Sequence, residues 1–200
     1  MKKKWIWTTG ILLLVVGIIT AGYVRINHQF PRSSEKKIKM GEFVEFQEGI
    51  YLKIDRVDLL TDQEREELYN KTEETPICES KIWNVHFILE NRTNEDKNYE
   101  MTSLNLETQG GSTGISALFL SILKAEDGES LQGHGIIKPG ERKEVICPYE
   151  LLSDYFTKEQ WNDIENREKW ITFASYPEKV MMQFIVVQLS RQKSKLFIMN

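Results

Sequence analysis

The chain has 200 residues, of which 40% are hydrophobic and 28% are charged, and its formal net charge is −4. One apolar stretch lies near the N-terminus, and the remainder is long enough for one domain of ordinary size with its own core. The first 25 residues hold four basic and no acidic residues, which leaves the other 175 with a net charge of −8. An acidic domain argues against nucleic acid as a partner and against general adhesion to anionic polymers.

Residues 5–24 form an uncharged apolar segment between three lysines, Lys2 to Lys4, and Arg25. A helix of this length spans roughly 30 Å at about 1.5 Å per residue, which matches the thickness of a bilayer core. The lysines predict that residues 1–4 lie in the cytoplasm and that the bulk of the chain is extracellular. The segment therefore predicts a single-pass protein of the cell membrane.

A cleaved signal peptide is the alternative for the same segment. It would share the basic start and the apolar run, and Thr20-Ala21-Gly22 offers small residues before a cut. The run is closer to spanning length than to the apolar core of a signal peptide, which is about 7–15 residues long. This length favours an uncleaved signal-anchor, and removal of residues 1–22 stays open as the alternative.

Beyond a linker predicted at residues 25–37, short runs of alternating apolar and polar residues are typical of half-buried β-strands. The clearest run, residues 81–91, places four apolar side chains on one face: Trp83, Val85, Phe87 and Leu89. Further strands are predicted at residues 38–46, 50–57, 99–106, 170–175 and 180–189, and one more carries Val145, Cys147 and Tyr149 on one side. Pro148 predicts that the strand containing it lies at a sheet edge.

Turn residues and one helix interrupt these strands. Pro139-Gly140 has the order of a tight turn, and the glycine-rich residues 109–114 are predicted to form a flexible connection. The polar residues 61–75 predict either a short surface helix at 62–69 or a loop. A helix is predicted at residues 157–166, because Thr157 and Gln160 have the spacing of a capping box and Phe156 can pack on Trp161.

About eight strands and one short surface helix, without regular alternation of strands and helices, predict an all-β domain. Two stacked antiparallel sheets are the expected architecture, because turn residues recur at intervals near those of a β-sandwich. We assign residues 38–190 to this domain and residues 191–200 to a basic C-terminal tail.

Three motifs follow the basic and apolar start of the chain in a recognisable order. They are Met40-Gly-Glu-Phe-Val-Glu before a Gly49-Ile-x-Leu-x-Ile strand, Trp83-x-Val-x-Phe-x-Leu-Glu-Asn-Arg-Thr, and Pro139-Gly-Glu before Val145. This order resembles a family of membrane-anchored or lipid-anchored immunoglobulin-like domains of unknown function in Gram-positive bacteria, over residues 38–190. The resemblance implies an immunoglobulin-like β-sandwich at the cell surface and brings no catalytic residues with it.

The cysteines and histidines give no pattern of a chemical site. Cys78 and Cys147 both follow the membrane segment, where an oxidising exterior permits one disulfide between them, and two unbonded small apolar side chains are the alternative. Neither has the spacing of a redox or zinc site. His86 has no carboxylate partner in the nearby sequence, and His134 is a single exposed imidazole. No catalytic residue, metal or cofactor is therefore predicted.

A binding or interaction module, rather than an enzyme, is the function that these observations predict. The candidate interaction surface is Tyr155, Phe156 and Trp161 around the predicted helix, with core packing as the alternative role of these side chains. The expected partner is another envelope or membrane protein. The alternative function is an accessory subunit of a membrane transport or signalling complex, contacted through the membrane helix, where Gly10 and Gly17 can line one face.

Overall fold

The computed structural model describes residues 2–31, 33–72, 74–122, 133–175 and 177–184. The basic tail and the end of the last predicted strand lie outside these residues. The described chain contains eleven strands: β1 (Ser34–Lys39), β2 (Val44–Gln47), β3 (Ile50–Leu59), β4 (Ser80–Asn91), β5 (Lys97–Glu100), β6 (Asn105–Thr108), β7 (Gly111–Thr113), β8 (His134–Ile137), β9 (Arg142–Leu152), β10 (Lys169–Ala174) and β11 (Glu178–Phe184). Its helices are α1 (Lys2–Gln29), α2 (Asp62–Thr72), α3 (Ala117–Leu120) and α4 (Lys158–Asn162), and a 3-10 turn spans Ser153–Tyr155.

Most of the strands belong to two sheets that face each other. Sheet A has the strand order β1-β11-β10-β6-β7, sheet B has the order β2-β3-β4-β9, and β5 pairs with β8 as a separate ribbon. One hydrophobic core draws residues from both sheets, so the fold is a β-sandwich, as predicted. The prediction of eight strands in two sheets is too low, because strands of three or four residues such as β5 to β8 are too short to show a period.

The apolar row predicted on β4 is confirmed as the centre of the core. Its four side chains are completely buried, and each burial of this kind contributes about 1.5–3 kcal/mol. β9 pairs with β4 along its whole length, and Cys147 and Tyr149 face the same core. Pro148 lies within β9, which is an edge strand of sheet B, as predicted. The strand continues past this proline to Leu152.

The strand predicted at residues 38–46 is in fact two strands that belong to different sheets. After β1 ends at Lys39, the N–H of Glu42 donates to the carbonyl of Lys39 at 3.1 Å, and Gly41 adopts a φ of 88°. This turn carries the chain from sheet A to sheet B. β1 also pairs with β11 in parallel, so the prediction of purely antiparallel sheets is wrong. The two strands are far apart in sequence, and no tight hairpin imposes an antiparallel pairing on them.

Two predicted turns have different outcomes. At Pro139-Gly140, the N–H of Glu141 donates to the carbonyl of Lys138 at 3.0 Å and Gly140 has a φ of 70°, which confirms the tight turn. The glycine-rich residues 109–114 are not a flexible connection, because β6 and β7 pair there as a hairpin. Gly110 supplies the positive φ, 108°, that this short hairpin requires.

Two helices cover part of the outer face of sheet B. α2 confirms the helical alternative for residues 62–69, and its Leu68 and Tyr69 form a second small core with Phe119 of α3. The rings of Tyr69 and Phe119 meet edge to face with centroids 5.2 Å apart. The Tyr69 hydroxyl donates to the carboxylate of Glu150 on β9, and burial raises the pKa of Tyr69 to about 12.

The apolar N-terminal segment forms one continuous helix, α1. Its part Gly10–Gln29 has a mean hydropathy of 1.8 and buries no residue against the rest of the described chain. By length and composition this helix can cross a membrane. The helix continues to Gln29 and β1 begins at Ser34, so only residues 30–33 of the predicted linker lie between regular elements.

Candidate functional site

Residue pairs in sheet A show where α1 joins the sandwich and which end of the sandwich is remote from that point. α1 leads into Ser34 of β1, which pairs with Glu178 at the start of β11. β11 then runs six residues further to Phe184, which pairs with Lys169 at the start of β10. Six steps along a strand cover about 20 Å. Lys169 therefore marks the end of the sandwich that is remote from the junction with α1.

Lys169 also fixes the chain that precedes it, after α4. Its side chain is buried, and its ammonium donates to three backbone carbonyls, those of Ile164 (2.6 Å), Glu165 (3.0 Å) and Arg167 (3.0 Å). The ammonium also lies 5.0 Å from the ring centroid of Trp83. Burial lowers the pKa of Lys169 to about 8, because the surrounding protein solvates the charged form less well than water does.

The segment before β4 lies at the same remote end. The N–H of Ser153 donates to the carbonyl of Glu79 at 2.8 Å, and Nε1 of Trp161 donates to Oε2 of Glu79 at 2.9 Å. Lys81 forms an ion pair with Glu165. These contacts join two segments, residues 74–79 and 153–168, into one surface, which we call the distal tip.

The helix of the distal tip, α4, begins at the predicted position but ends before the predicted C-terminal residue. Thr157 is its N-cap: the Thr157 hydroxyl accepts the N–H of Gln160 at 3.3 Å, and the Thr157 N–H donates to Oε1 of Gln160 at 2.9 Å. The capping box is therefore confirmed. α4 ends at Asn162 instead of continuing to residue 166, because the carbonyls that follow turn towards Lys169.

The three predicted surface residues all lie in the distal tip, but they differ in exposure. Tyr155 is 58% exposed, whereas Phe156 and Trp161 are half-buried against the sandwich core with ring centroids 6.0 Å apart. Gly111 allows Phe156 to approach the backbone, since a Cβ at that position would lie 2.7 Å from its Cζ. Tyr155 is thus available to a partner, while the other two rings support it from below.

The structure adds Ile77, which the sequence analysis missed. Its side chain is 93% exposed, more than any other large apolar side chain of the described sandwich. Ser80 pairs with Leu152 and the N–H of Ser153 donates to the carbonyl of Glu79, so Ile77 and Tyr155 belong to the two segments that these contacts join. A signal existed in the sequence, because Ile77 is a single apolar residue after a proline in a polar stretch.

The distal tip is strongly acidic. Its two segments contain seven carboxylates and two basic residues, Lys158 and Arg167, which gives a net charge of −5. Within the part of the chain that the structure describes, the carboxylates of Glu74, Asp154 and Glu159 form no hydrogen bond and no ion pair with another side chain, and all three residues are exposed. The tip therefore combines exposed apolar groups with three carboxylates that have no side-chain partner among the described residues.

A second group of polar side chains surrounds His86 on the outer face of sheet B. The imidazole is completely buried, with Nδ1 2.7 Å from Oε1 of Glu144 on β9 and Nε2 3.0 Å from Oδ2 of Asp58 on β3. The Nε2–H bond does not point directly at that oxygen, so this second contact is mainly electrostatic. The Arg56 guanidinium lies 3.3 Å from Asp58 and 3.8 Å from Glu144. We call these four residues the His86 network.

The expectation that His86 lacks a carboxylate partner is wrong. Both partners come from neighbouring strands, at positions that only the register of sheet B brings together. The contact with His86 is the largest cause that lowers the pKa of Asp58, and burial opposes it.

The His86 network has the geometry of a structural ion pair rather than of a reactive site. Its two carboxylates lie at opposite edges of the ring, so they do not converge on a common point, and among the described residues no group of three or more histidine, cysteine, aspartate or glutamate side chains could hold a metal. Both ring nitrogens face carboxylates, which leaves neither one to activate a nucleophile. His134, at the start of β8, is exposed.

The two cysteines are both free thiols in the structure. Cys147 is buried in the core, and this burial raises the pKa of its thiol. Cys78 lies in the distal tip and is half-buried. Their sulfur atoms are not bonded to each other in the structure.

Comparisons with known proteins place the chain in a family and describe its fold. Residues 33–180 match a domain of unknown function, DUF5028. No curated protein matches the chain. Similar solved structures are an uncharacterised β-sandwich protein from Clostridium difficile 630 (11% identity, 76% of this chain and 95% of that one, TM-score 0.43) and a functionally unknown protein from Listeria monocytogenes EGD-e (13%, 78% and 85%, 0.46).

A third similar structure is a candidate lipoprotein from Bacillus subtilis subsp. subtilis strain 168. It shares 8% identity over 74% of this chain, with a TM-score of 0.42. The match spans 38% of that longer protein. The likeness to all three structures concerns the fold alone.

Proposed function

The chain belongs to the DUF5028 family, and from this premise we propose that it is an interaction module of the cell envelope. In this proposal α1 is an uncleaved, single-pass anchor with its N-terminus in the cytoplasm. It holds an immunoglobulin-like sandwich outside the cell, and the distal tip binds another envelope or membrane protein. No catalytic role is proposed for the domain.

The position of the distal tip is the observation that supports this function most. The anchor joins the sandwich at Ser34, and the tip lies about 20 Å away at the other end of the strands. A surface held away from the bilayer is accessible to a second protein. This surface also exposes Tyr155 and Ile77, whereas apolar side chains elsewhere in the sandwich mostly lie in its cores.

An accessory subunit of a membrane transport or signalling complex is the second candidate. It is favoured by α1, whose spanning part packs against nothing else in the described chain. Nothing lies within 4 Å of where a Cβ would stand on Gly10 or Gly17, so a partner helix could approach closely there. Replacing both glycines with leucine would abolish co-purification with a membrane partner in this role and leave it unchanged if the distal tip carries the interaction.

The topology of the anchor is tested with single cysteines in intact cells. In a chain with Cys78→Ser, we place a cysteine at the exposed position Ser112 on β7 or at Lys3 before the apolar segment, and we add a membrane-impermeant maleimide. Cys147 is buried and serves as the unlabelled background. We expect labelling at 112 and none at 3. Labelling at 3 alone, or loss of residues 1–22 from the mature protein, would overturn the anchored topology.

The role of the distal tip is tested by photo-crosslinking in the same cells. A photoreactive phenylalanine analogue replaces Tyr155 in the full-length chain, and the matched control replaces Ile136, which is 59% exposed on β8. We expect one discrete crosslinked protein from position 155 and none from position 136. Equal crosslinking at both positions, or no crosslinking at 155, would count against the distal tip as the interaction surface.

A further inference from the structure

We propose that the partner of the distal tip presents a cationic segment of polypeptide with apolar side chains, so that lysine or arginine meets the acidic rim and the apolar groups cover Ile77 and Tyr155. This inference rests on the proposed function and adds the chemistry of the partner. Three observations on the distal tip support it. The tip exposes apolar side chains, it has carboxylates without a side-chain partner among the described residues, and the other described surfaces do not combine these two properties.

The apolar contribution comes from Ile77 and Tyr155. Single exposed apolar residues are normal on a protein surface, but these two belong to the two segments that form the distal tip. Tyrosine supplies a large contact area with few rotatable bonds and is enriched where interfaces concentrate their binding energy. The next residue, Phe156, packs against the sandwich core and against Trp161, which fixes the chain on one side of Tyr155.

The charge contribution comes from carboxylates that are free to pair with a ligand. Glu74, Asp154 and Glu159 have no side-chain partner among the described residues. A ligand cation that approaches them does not have to break an existing ion pair. The ammonium groups of Lys81 and Lys169 contact the tip and reduce its net charge from −5 to −3, which still attracts a cationic segment from a distance and repels an anionic one.

The rest of the described surface does not offer the same combination. On the outer face of sheet B, four carboxylates already pair with basic residues of the protein: Asp55 with Lys53, Asp58 with Arg56, and Glu90 with both Arg92 and Arg142, while Glu144 pairs with His86. Ile136 is exposed as well, but it lies on the ribbon of β5 and β8, where it pairs with Asn98 and where Lys97 already forms an ion pair with Glu95. Helix α2 is also acidic but exposes no large apolar side chain among the described residues. The combination of charge and apolar exposure therefore favours the distal tip for a basic ligand with apolar side chains.

Binding is measured with three short synthetic peptides. They share the same leucine and tryptophan residues and carry lysine, glutamine or glutamate at all other positions. The full-length protein is held in nanodiscs of phosphatidylcholine, whose zwitterionic surface does not attract the lysine peptide, and empty nanodiscs give the background. We expect the lysine peptide to bind most tightly, with an affinity that falls as salt is added. Equal affinity for the three peptides, or preference for the glutamate peptide, would overturn the inference.

Matched variants assign the binding to the distal tip. Asp154→Lys with Glu159→Lys should weaken the lysine peptide about tenfold or more and strengthen the glutamate peptide. Its control, Glu42→Lys with Glu48→Lys, makes the same change in net charge at two other exposed positions and should have little effect. Ile77→Ser with Tyr155→Ser should weaken the lysine peptide by about tenfold, whereas Ile136→Ser should not.

The crosslinking experiment separates the two proposals. The Asp154→Lys and Glu159→Lys changes are combined with the photoreactive residue at 155, and we expect the adduct to disappear while the amount of folded protein stays the same. If the same partner is still captured, the inference about its charge is wrong and the proposed function stands. If position 155 captures nothing even without these changes, the proposed function fails.

Discussion

The His86 network and the distal tip both contain carboxylates. Those of the network are paired with basic side chains, whereas three of those in the tip face solvent. In the network, Asp58 and Glu144 lie on either side of a buried imidazole and also approach Arg56. In the distal tip, Glu74, Asp154 and Glu159 face solvent without a side-chain partner in the described chain. Residue type alone therefore says little about the role of a charge.

The difference follows from what surrounds each group. A charged group that is removed from water must be paired, because desolvation costs several kcal/mol per ion. The His86 network meets this requirement through three adjacent strands and so becomes part of the stability of sheet B. The carboxylates of the distal tip remain hydrated, contribute little to folding and stay free for a ligand. The following substitutions test this contrast, beginning with the largest expected effect.

His86→Leu should lower the free energy of unfolding by about 3 kcal/mol, because it leaves Asp58 and Glu144 without the group between them. Urea unfolding of the full-length chain in non-ionic micelles at neutral pH measures the change. The control is His134→Ala, which removes an exposed histidine and should change stability by less than about 0.5 kcal/mol. A loss below about 1 kcal/mol in His86→Leu would show that the network is not structural.

Lys169→Met should lower the free energy of unfolding by about 2 kcal/mol, because one buried and two partly buried carbonyls lose a charged donor. The pH dependence adds a second test. The folded pKa of Lys169 is about 8, below the value near 10.4 expected for an unfolded chain, so above pH 8 the unfolded state binds more protons than the folded state. Stability contributed by this site therefore rises with pH, and the difference between wild type and Lys169→Met should grow from pH 8 to pH 10.

Both proteins in that comparison contain Cys147 and Tyr149, whose raised pKa values make stability fall over the same alkaline range. Subtracting the free energy of unfolding of Lys169→Met from that of the wild type at each pH removes this shared contribution. A difference that is constant or that shrinks between pH 8 and pH 10 would contradict the role given to Lys169.

Asp154→Lys with Glu159→Lys should change the free energy of unfolding by less than about 0.5 kcal/mol, because neither carboxylate has a partner to lose. The same urea experiment measures it, with Asp58→Asn as the contrasting change to a paired carboxylate. A loss of 1 kcal/mol or more from the tip variant would mean that its charges stabilise the fold, and the distinction between the two regions would not hold.

Several features were predictable from the sequence because their signals are local. The apolar row of β4 follows from the alternation of side chains along a strand, and the N-terminus of α4 follows from the Thr157 and Gln160 pair. The tight turn at Gly140 and the edge position of Pro148 follow from the backbone restrictions of glycine and proline. In each case a few neighbouring residues carry the information.

Other features depend on contacts between residues that are far apart in the sequence. The turn at Gly41 has a glycine signal, but only the pairing of β1 with β11 shows that it moves the chain between sheets. The partners of His86 are 28 and 58 residues away from it, and no spacing rule connects them. Ile77 was missed because its place at the same end of the sandwich as Tyr155 depends on the pairing of β4 with β9.

The sequence by itself thus determined a helix of membrane-spanning length, a β-rich domain and the aromatic residues around α4. These follow from hydrophobic length and from the periods of strands and helices, which are properties of consecutive residues. Only the tertiary structure decided which charges are paired, which of the aromatic side chains is exposed, and that the distal tip lies at the end of the sandwich remote from α1. Strand register and sheet order set these distances, because they bring remote parts of the chain within reach of one another.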